Sequence, residues 1–115
     1  MIDGWITQLR KGLLEYCVLL VLRRGESYGY EIVQALKRIE DLSVSESTVY
    51  PILGRLREEG FLKSRDVRSD AGPPRRYFSL TPPGRVRLAE MNAYWPMLTT
   101  ALEQLKTDKG KDTKP

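Results

Sequence analysis

Lysine and arginine are concentrated on both sides of a short turn-forming stretch in the middle of the chain. The stretch RSDAGPP (68–74) combines small, polar, glycine and proline residues, which are typical of turns. The flanking segments FLKSRDV (61–67) and RRYFSLT (75–81) are predicted strands, so a hairpin carries the cations Lys63, Arg65, Arg68, Arg75 and Arg76. Cations clustered in this way can neutralise phosphate oxygens, and a solvated hairpin tip is the alternative explanation.

A second polar surface is predicted on the helix that precedes this hairpin. Within residues 46–59, the spacing of a helix with one buried face recurs at Val49, Ile52, Leu53 and Leu56. At about 100° per residue, the outward or flanking positions are Ser47, Tyr50, Pro51, Gly54, Arg55 and Glu58. Hydroxyls there can bind phosphates, and Arg55 can contact a phosphate or a guanine edge. Pro51 removes one backbone N–H on the outward side, so the packing of the buried face stays intact.

The net charge is unevenly distributed along the chain. The total of +4 is modest, but residues 43–87 carry nine Lys or Arg against five Asp or Glu. The basic excess therefore coincides with the predicted third helix and hairpin. Such a local excess favours a polyanionic partner.

Few groups suited to catalysis are present. The sequence has no histidine and one cysteine, Cys17, so it lacks the residues for a Cys/His zinc site or a Ser/His or Cys/His catalytic pair. We therefore predict that the protein is not an enzyme and needs no metal or cofactor. The apolar run LLEYCVLLVL (13–22) is interrupted by Glu15 and is shorter than the roughly 20 residues of a membrane span. We expect a cytoplasmic protein without membrane association, in which the thiol is buried and reduced.

Three helices precede the hairpin in the predicted order of elements. The first runs from Trp5 to about Arg24. The second, residues 28–40, is capped by Ser27, and its buried stripe is Ile32, Val33, Leu36 and Ile39. The third is the helix described above, with Ser45 as its N-cap. This order is that of a winged helix-turn-helix, in which the third helix enters the major groove and the hairpin, or wing, contacts the backbone beside it.

A last long helix is predicted after Thr81, its N-cap. Apolar residues recur on it at the alternating spacing of a coiled coil, at Leu88, Met91, Trp95, Leu98, Leu102 and Leu105. Because a helix behind the wing has little of its own domain to cover it, we expect this stripe to form a homodimer together with the first helix; packing within its own chain is the alternative. The predicted fold is mainly α (α+β), with a winged helix-turn-helix domain at 1–80, a dimerisation helix at 81–106 and a disordered tail at 107–115.

The segments ESTVYPILGRLREEGFL (46–62) and GPPRRYFSLTPPG (72–84) resemble the PadR family of bacterial transcriptional regulators, and YGYEI (28–32) is similar to the start of the family's second helix. The resemblance covers about residues 8–105. It implies a homodimer that binds an operator in double-stranded DNA and usually represses. It also implies that the residues facing DNA are Ser47, Thr48, Tyr50 and Arg55, with Arg75 and Arg76 in the wing.

Short, multidrug-sensing members of this family bind planar hydrophobic compounds between tryptophans of the two last helices, at the dimer centre. Trp95 and the small size of the chain are similar to that subfamily, which implies an effector site formed by Leu9, Tyr16 and Trp95. A tryptophan in such a stripe is otherwise a core residue. The chain has Thr99, not an acid, one turn after Trp95, so cationic compounds are not favoured.

A winged-helix module for protein interaction is the competing interpretation. In that case the basic wing would be only a soluble surface, and the last helix would bind a different protein. The two interpretations differ in salt dependence, because contacts with DNA phosphates weaken as salt rises.

Overall fold

The structure is a computed structural model that describes residues 4–39 and 44–110. The chain forms, in order, helix α1 (Gly4–Leu22), strand β1 (Ser27–Tyr28), helices α2 (Gly29–Lys37) and α3 (Glu46–Glu58), strands β2 (Leu62–Val67) and β3 (Arg75–Leu80), and helix α4 (Pro82–Thr107). Three helices followed by a hairpin are the elements of a winged helix-turn-helix, so the predicted fold class is confirmed.

The three strands form one antiparallel sheet in the order β1-β3-β2. Strands β2 and β3 pair from Leu62 opposite Leu80 to Val67 opposite Arg75, which is the predicted hairpin. The two-residue strand β1 was not predicted, and it adds the start of α2 to the sheet. Ser27, the predicted N-cap of α2, instead lies in β1, and the side chain of Glu31 accepts a hydrogen bond from the backbone N–H of Tyr28 at 3.0 Å.

One core joins the three helices to the inner face of the sheet. Its buried side chains come from all four helices, from β2 and β3 and, for Val44, from the segment before α3: Leu14, Val18, Leu19, Leu22, Ile32, Val33, Leu36, Val44, Val49, Ile52, Leu53, Leu56, Leu62, Phe78, Leu80 and Leu88. The buried stripe of α3 is therefore as predicted. Ile39 was predicted to be buried, but it is 54% exposed because α2 ends at Lys37.

The opposite side of α1 faces away from this core. The helix begins one residue before the predicted start and ends at Leu22, two residues before the predicted end. Trp5 and Leu9 are exposed at 65% and 58%. These large apolar side chains give α1 a second face that no other part of residues 4–39 and 44–110 covers.

The start of α4 is fixed against the base of the wing. The side chain of Thr81 accepts a hydrogen bond from the N–H of Gly84 at 3.0 Å and donates one to the carbonyl of Gly60 at 2.6 Å. Thr81 is thus the predicted N-cap. A Cβ on Gly84 would lie 2.0 Å from the carbonyl oxygen of Phe61, so only glycine fits at this contact.

Burial along the apolar stripe of α4 is highest at the start of the helix and lowest at its end, although Trp95 is more exposed than Leu98, which follows it. Leu88 is buried, Met91 and Leu98 are half-buried, and Leu102 and Leu105 are exposed. The helix continues through Pro96 to Thr107, one residue beyond the predicted dimerisation helix. Thr107 was predicted to begin the disordered tail, but it is helical. Residues 111–115 of that predicted tail lie outside the described part of the chain.

Candidate nucleic-acid interface

The outward side of α3 is polar and exposed. Ser47, Thr48, Tyr50, Pro51 and Arg55 are all exposed there. The hydroxyl of Ser45, the N-cap residue, lies 3.0 Å from that of Ser47 and 3.2 Å from that of Thr48. Three hydroxyls therefore gather at the end of α3 where backbone N–H groups have no partner within the helix, which is an arrangement suited to phosphate oxygens.

Two arginines of α3 lie on opposite flanks of this polar side. Arg55 lies toward α1 and donates a hydrogen bond to the carboxylate of Glu15. Arg57 lies toward the wing and donates one to the hydroxyl of Ser64 at 3.3 Å. The helical projection of the sequence predicted Arg55 as an outward residue and missed Arg57. Only the position of the wing relative to α3 shows that Arg57 lies in the groove between them.

Tyr50 packs against the first residue of α2. A Cβ on Gly29 would lie 2.6 Å from Cε1 of Tyr50. The tyrosine ring therefore rests directly on the backbone of Gly29, and a larger residue there would displace the ring. Burial raises the pKa of the Tyr50 hydroxyl, and the nearby carboxylate of Glu46 acts in the same direction, so the group remains a neutral hydrogen-bond donor.

The cations of the wing are held by acids and aromatic rings. Arg65 forms two hydrogen bonds of 2.7 Å to the carboxylate of Glu26. Arg76 donates to Asp66, its direct partner across the hairpin, at 2.9 Å. The guanidinium of Arg75 lies 4.7 Å from the centre of the Tyr28 ring, which is a cation–π contact.

These ion pairs shift the protonation of both carboxyls. The hydrogen bond from Arg65 lowers the pKa of Glu26, and the hydrogen bond from Arg76 lowers the pKa of Asp66. Both acids therefore stay ionised at neutral pH. Because both pairs are open to solvent, they orient the arginines more than they stabilise the fold.

A groove separates α3 from the wing. Its volume is about 610 Å³, and three tyrosines and three arginines contribute to its lining: Tyr28, Tyr30, Tyr50, Arg57, Arg75 and Arg76. Aromatic hydroxyls and guanidinium groups in one concave surface are well suited to bind the sugar-phosphate backbone of a nucleic acid. We call this groove, the exposed side of α3 and the wing cations Lys63, Arg65, Arg75 and Arg76 the polar face.

A second candidate surface lies between α1 and α4. Tyr16 donates a hydrogen bond to the side-chain oxygen of Asn92 at 2.6 Å, and its ring lies 6.1 Å from that of Trp95. Leu9 lies two turns before Tyr16 on the same side of α1. We call this surface the apolar face; it consists of Trp5, Leu9, Tyr16, Trp95, Leu98, Leu102 and Leu105.

Three features concern metal binding, membrane crossing and the chemistry of the thiol. Within residues 4–39 and 44–110, no group of three or more His, Cys, Asp or Glu side chains could hold a metal ion. In the same part of the chain, no helix is long and apolar enough to cross a membrane. Burial raises the pKa of the Cys17 thiol, so the group is not poised as a nucleophile.

The fold and the polar face define a winged helix-turn-helix protein of the regulator class. The model of the transcriptional regulator PadR-like family matches residues 18–90, which is more than half of the chain. The chain therefore belongs to the PadR-like family of transcriptional regulators, as its resemblance to that family predicted.

Similar proteins agree with this assignment. The negative transcriptional regulator PadR of Bacillus subtilis (strain 168) is 34% identical over 80 residues, which are 66% of this chain and 43% of that protein. The chain thus spans less than half the length of this relative. The X-ray structure of a PadR-like transcription factor from Bacteroides fragilis matches with a TM-score of 0.77 at 40% identity, covering 90% of this chain and 99% of that one.

A further solved structure contains a nucleic acid. The crystal structure of Bacillus subtilis PadR in complex with operator DNA matches with a TM-score of 0.61 at 32% identity. The match covers 67% of this chain and 45% of that one.

Proposed function

We propose that this chain is a homodimeric regulator that binds operator DNA with its polar face and acts in the cytoplasm. The observation that carries the proposal is the groove in which side chains from α3 and from the wing meet. In this arrangement α3 enters the major groove, and the wing follows the adjacent backbone. The similar protein Bacillus subtilis PadR forms a complex with operator DNA, which supports operator binding by this chain.

Within the polar face, residues take two kinds of role. The hydroxyls of Ser47, Thr48 and Tyr50 bind phosphates, and Pro51 shapes the outward side of the helix. Arg55 reads a base edge or binds a phosphate. Neutralisation of the DNA backbone is the role of the wing cations Lys63, Arg65, Arg75 and Arg76, to which the geometry of the groove adds Arg57.

The apolar face supplies the dimer. A single winged domain contacts only one half-site, and two domains held at a fixed distance read a site with matching symmetry. The exposed leucines at the end of α4 and the exposed side of α1 are the surfaces that a second copy would cover. We assign residues 1–80 to the DNA-binding domain and 81–106 to dimerisation through Leu88, Met91, Trp95, Leu98, Leu102 and Leu105.

The proposal also includes the direction of regulation: the protein represses transcription and is released from DNA by a planar hydrophobic ligand. The Bacillus subtilis relative is a negative regulator, which favours a repressor here. Trp95, Tyr16 and Leu9 would meet their counterparts at the dimer centre, where two tryptophan rings can hold a planar hydrophobic effector. Quenching of Trp95 fluorescence by planar aromatic compounds, lost in Trp95→Phe, would support this site; no quenching across a varied set would leave Trp95 as a core residue.

A winged-helix module for protein interaction is the second candidate, since the acids Glu15, Glu26 and Asp66 already pair with arginines of the polar face. DNA binding distinguishes the two functions. Purified protein can be mixed with genomic DNA fragments and the bound fragments sequenced. A regulator should recover fragments that share a defined sequence. Affinity for them should fall steeply with salt, by a slope of about −0.9 per phosphate contact.

Wing variants test whether the polar face makes these contacts. Replacing Arg75 and Arg76 by alanine should weaken binding at least about tenfold and reduce the salt slope by about two phosphate contacts. The matched control is Lys106→Ala, since this lysine lies at the far end of α4 and pairs with Glu103. Absence of binding to any duplex, or binding without salt dependence, would reject the proposal in favour of the protein-interaction module.

A further inference from the structure

A carboxylate of α1 holds one arginine of the recognition helix. Glu15 is the only charged residue in the otherwise apolar run Leu13–Leu22. Its Oε2 accepts a hydrogen bond from Nη2 of Arg55 across the contact between α1 and α3. The side chain of Glu15 is 24% exposed and that of Arg55 is 48% exposed, so the pair lies at the edge of the domain, partly shielded from water.

This pair turns Arg55 away from the outward side of α3. The most outward positions of the helix are those opposite its buried stripe, and Arg55 lies on the flank next to α1. Bidentate contacts of arginine with guanine or phosphate use two of its nitrogens together. With Nη2 donated to Glu15, such a contact with DNA requires Arg55 to leave its intramolecular partner.

We infer that Glu15 competes with DNA for Arg55 and is a positioning residue that limits operator affinity. The inference rests on the proposed function, because it requires Arg55 to contact DNA. Its energetic basis is the modest strength of an ion pair at a protein edge, which can be broken when a better partner for the arginine arrives. Glu15 thereby reduces the contribution of Arg55 to binding on any sequence, and reduces it most on a site that offers Arg55 a bidentate partner.

The test is Glu15→Gln, which keeps the size of the side chain and removes its charge. With a duplex selected from a random library by the wild-type protein, we expect binding to tighten about two- to fivefold, the range that a weak ion pair can supply. If the freed Arg55 binds a phosphate, the gain should be similar on every sequence and the salt slope should change by less than one contact, because Arg55 also reaches the DNA in the wild-type complex. If it binds a base, discrimination at one base pair should sharpen. A purely structural role of Glu15 predicts neither change.

The control is the same substitution in an Arg55→Ala background. There Glu15→Gln should have no effect on affinity, because the competing arginine is gone. An equal gain in both backgrounds would mean that removal of a negative charge helps any polyanion, and weaker binding of Glu15→Gln would mean that Glu15 assists DNA binding; either result overturns the inference.

The result also separates this inference from the proposed function. If wild-type protein binds the selected duplex in a salt-dependent manner but Arg55→Ala binds it equally well, the regulator stands and the role of Glu15 is rejected. If the wild-type protein binds no duplex, the proposed function itself fails.

Discussion

The polar face and the apolar face differ in the kind of side chain that they expose to solvent. On the polar face, Arg55 and Arg65 pair with acids from outside their own elements, and Arg76 pairs with Asp66 across the hairpin. On the apolar face, Leu102 and Leu105 extend from α4 without cover, with Leu105 72% exposed. The polar face thus holds charges that can exchange partners, and the apolar face holds apolar area that no other described residue covers.

The difference predicts opposite responses to salt. Binding through the polar face should weaken as salt rises, because counterions compete for phosphates. Association through the apolar face should be nearly independent of salt or slightly strengthened, because it depends on removing apolar area from water. The salt dependence of each association therefore indicates which of the two faces forms it.

The contact that connects the two faces is expected to show the largest effect. Gly84→Ala would place a methyl group against the carbonyl oxygen of Phe61, and backbone cannot move aside as a flexible side chain can. We expect a loss of about 3 kcal/mol or more in the free energy of unfolding, measured with urea.

The matched control for this contact is Gly54→Ala in α3. A Cβ there meets nothing within 4 Å, so alanine should raise the free energy of unfolding by about 0.5–1 kcal/mol. Equal stability of the two variants would show that the start of α4 is not fixed at the wing, and the two faces would then be independent.

The apolar face can be broken separately from the rest of the fold. Leu102→Arg should raise the dissociation constant of the dimer at least about tenfold, because a buried cation must be desolvated in the interface. The unfolding of the monomeric variant should still be cooperative, since Leu102 contributes nothing to the core. Sedimentation equilibrium at low and moderate salt measures both the dissociation constant and its salt dependence.

Val86→Arg is the counterpart on the opposite side of α4. Val86 is also exposed and apolar, but at about 100° per residue it projects away from the stripe that contains Leu102. Its substitution should change dimerisation less than about twofold. If Val86→Arg were the more disruptive variant, the dimer would use the other side of α4.

The smallest effect is expected for the loss of the wing ion pairs of Glu26 and Asp66 at low pH. The folded-state pKa values of Glu26 and Asp66 are lowered, from ordinary values of 4.5 and 3.8, by their arginine partners. The stability that these pairs contribute is present above the ordinary values and is lost as pH falls through the lowered ones. Combining Glu26→Gln with Asp66→Asn should therefore reduce the fall in unfolding free energy between about pH 5 and pH 3. An unchanged acid dependence would show that the pairs are too solvated to matter.

Local patterns in the sequence were sufficient to predict α3 and the wing hairpin. The buried stripe of α3 follows from its 3.6-residue period, and the helix ends before Gly60, whose φ of 87° suits glycine. The turn residues before Arg75 define the hairpin. Each of these signals acts over a few residues, which is why no knowledge of the tertiary structure was needed.

Features that depend on distant residues were not predictable in the same way. The two-residue strand β1 is too short to show a period, and it exists because β3 offers it an edge. Glu15 and Arg55 are far apart in sequence, so only the packing of α1 on α3 brings them together. For α2, the helical pattern continues through Ile39, which concealed the end of the helix at Lys37.

Because the start of α4 is fixed at Gly84, a small tilt of the helix there moves its far end by a larger distance. Its 26 residues make it about 39 Å long at roughly 1.5 Å per residue, so a tilt of about 5° at Gly84 moves the far end by about 3 Å. If the proposed dimer forms through α4, a small rearrangement near Trp95 would change the distance between the two copies of α3 by several ångströms. Successive major grooves on one side of DNA recur at about 34 Å. A rigid α4 in each copy would hold the two DNA-binding domains at a defined spacing.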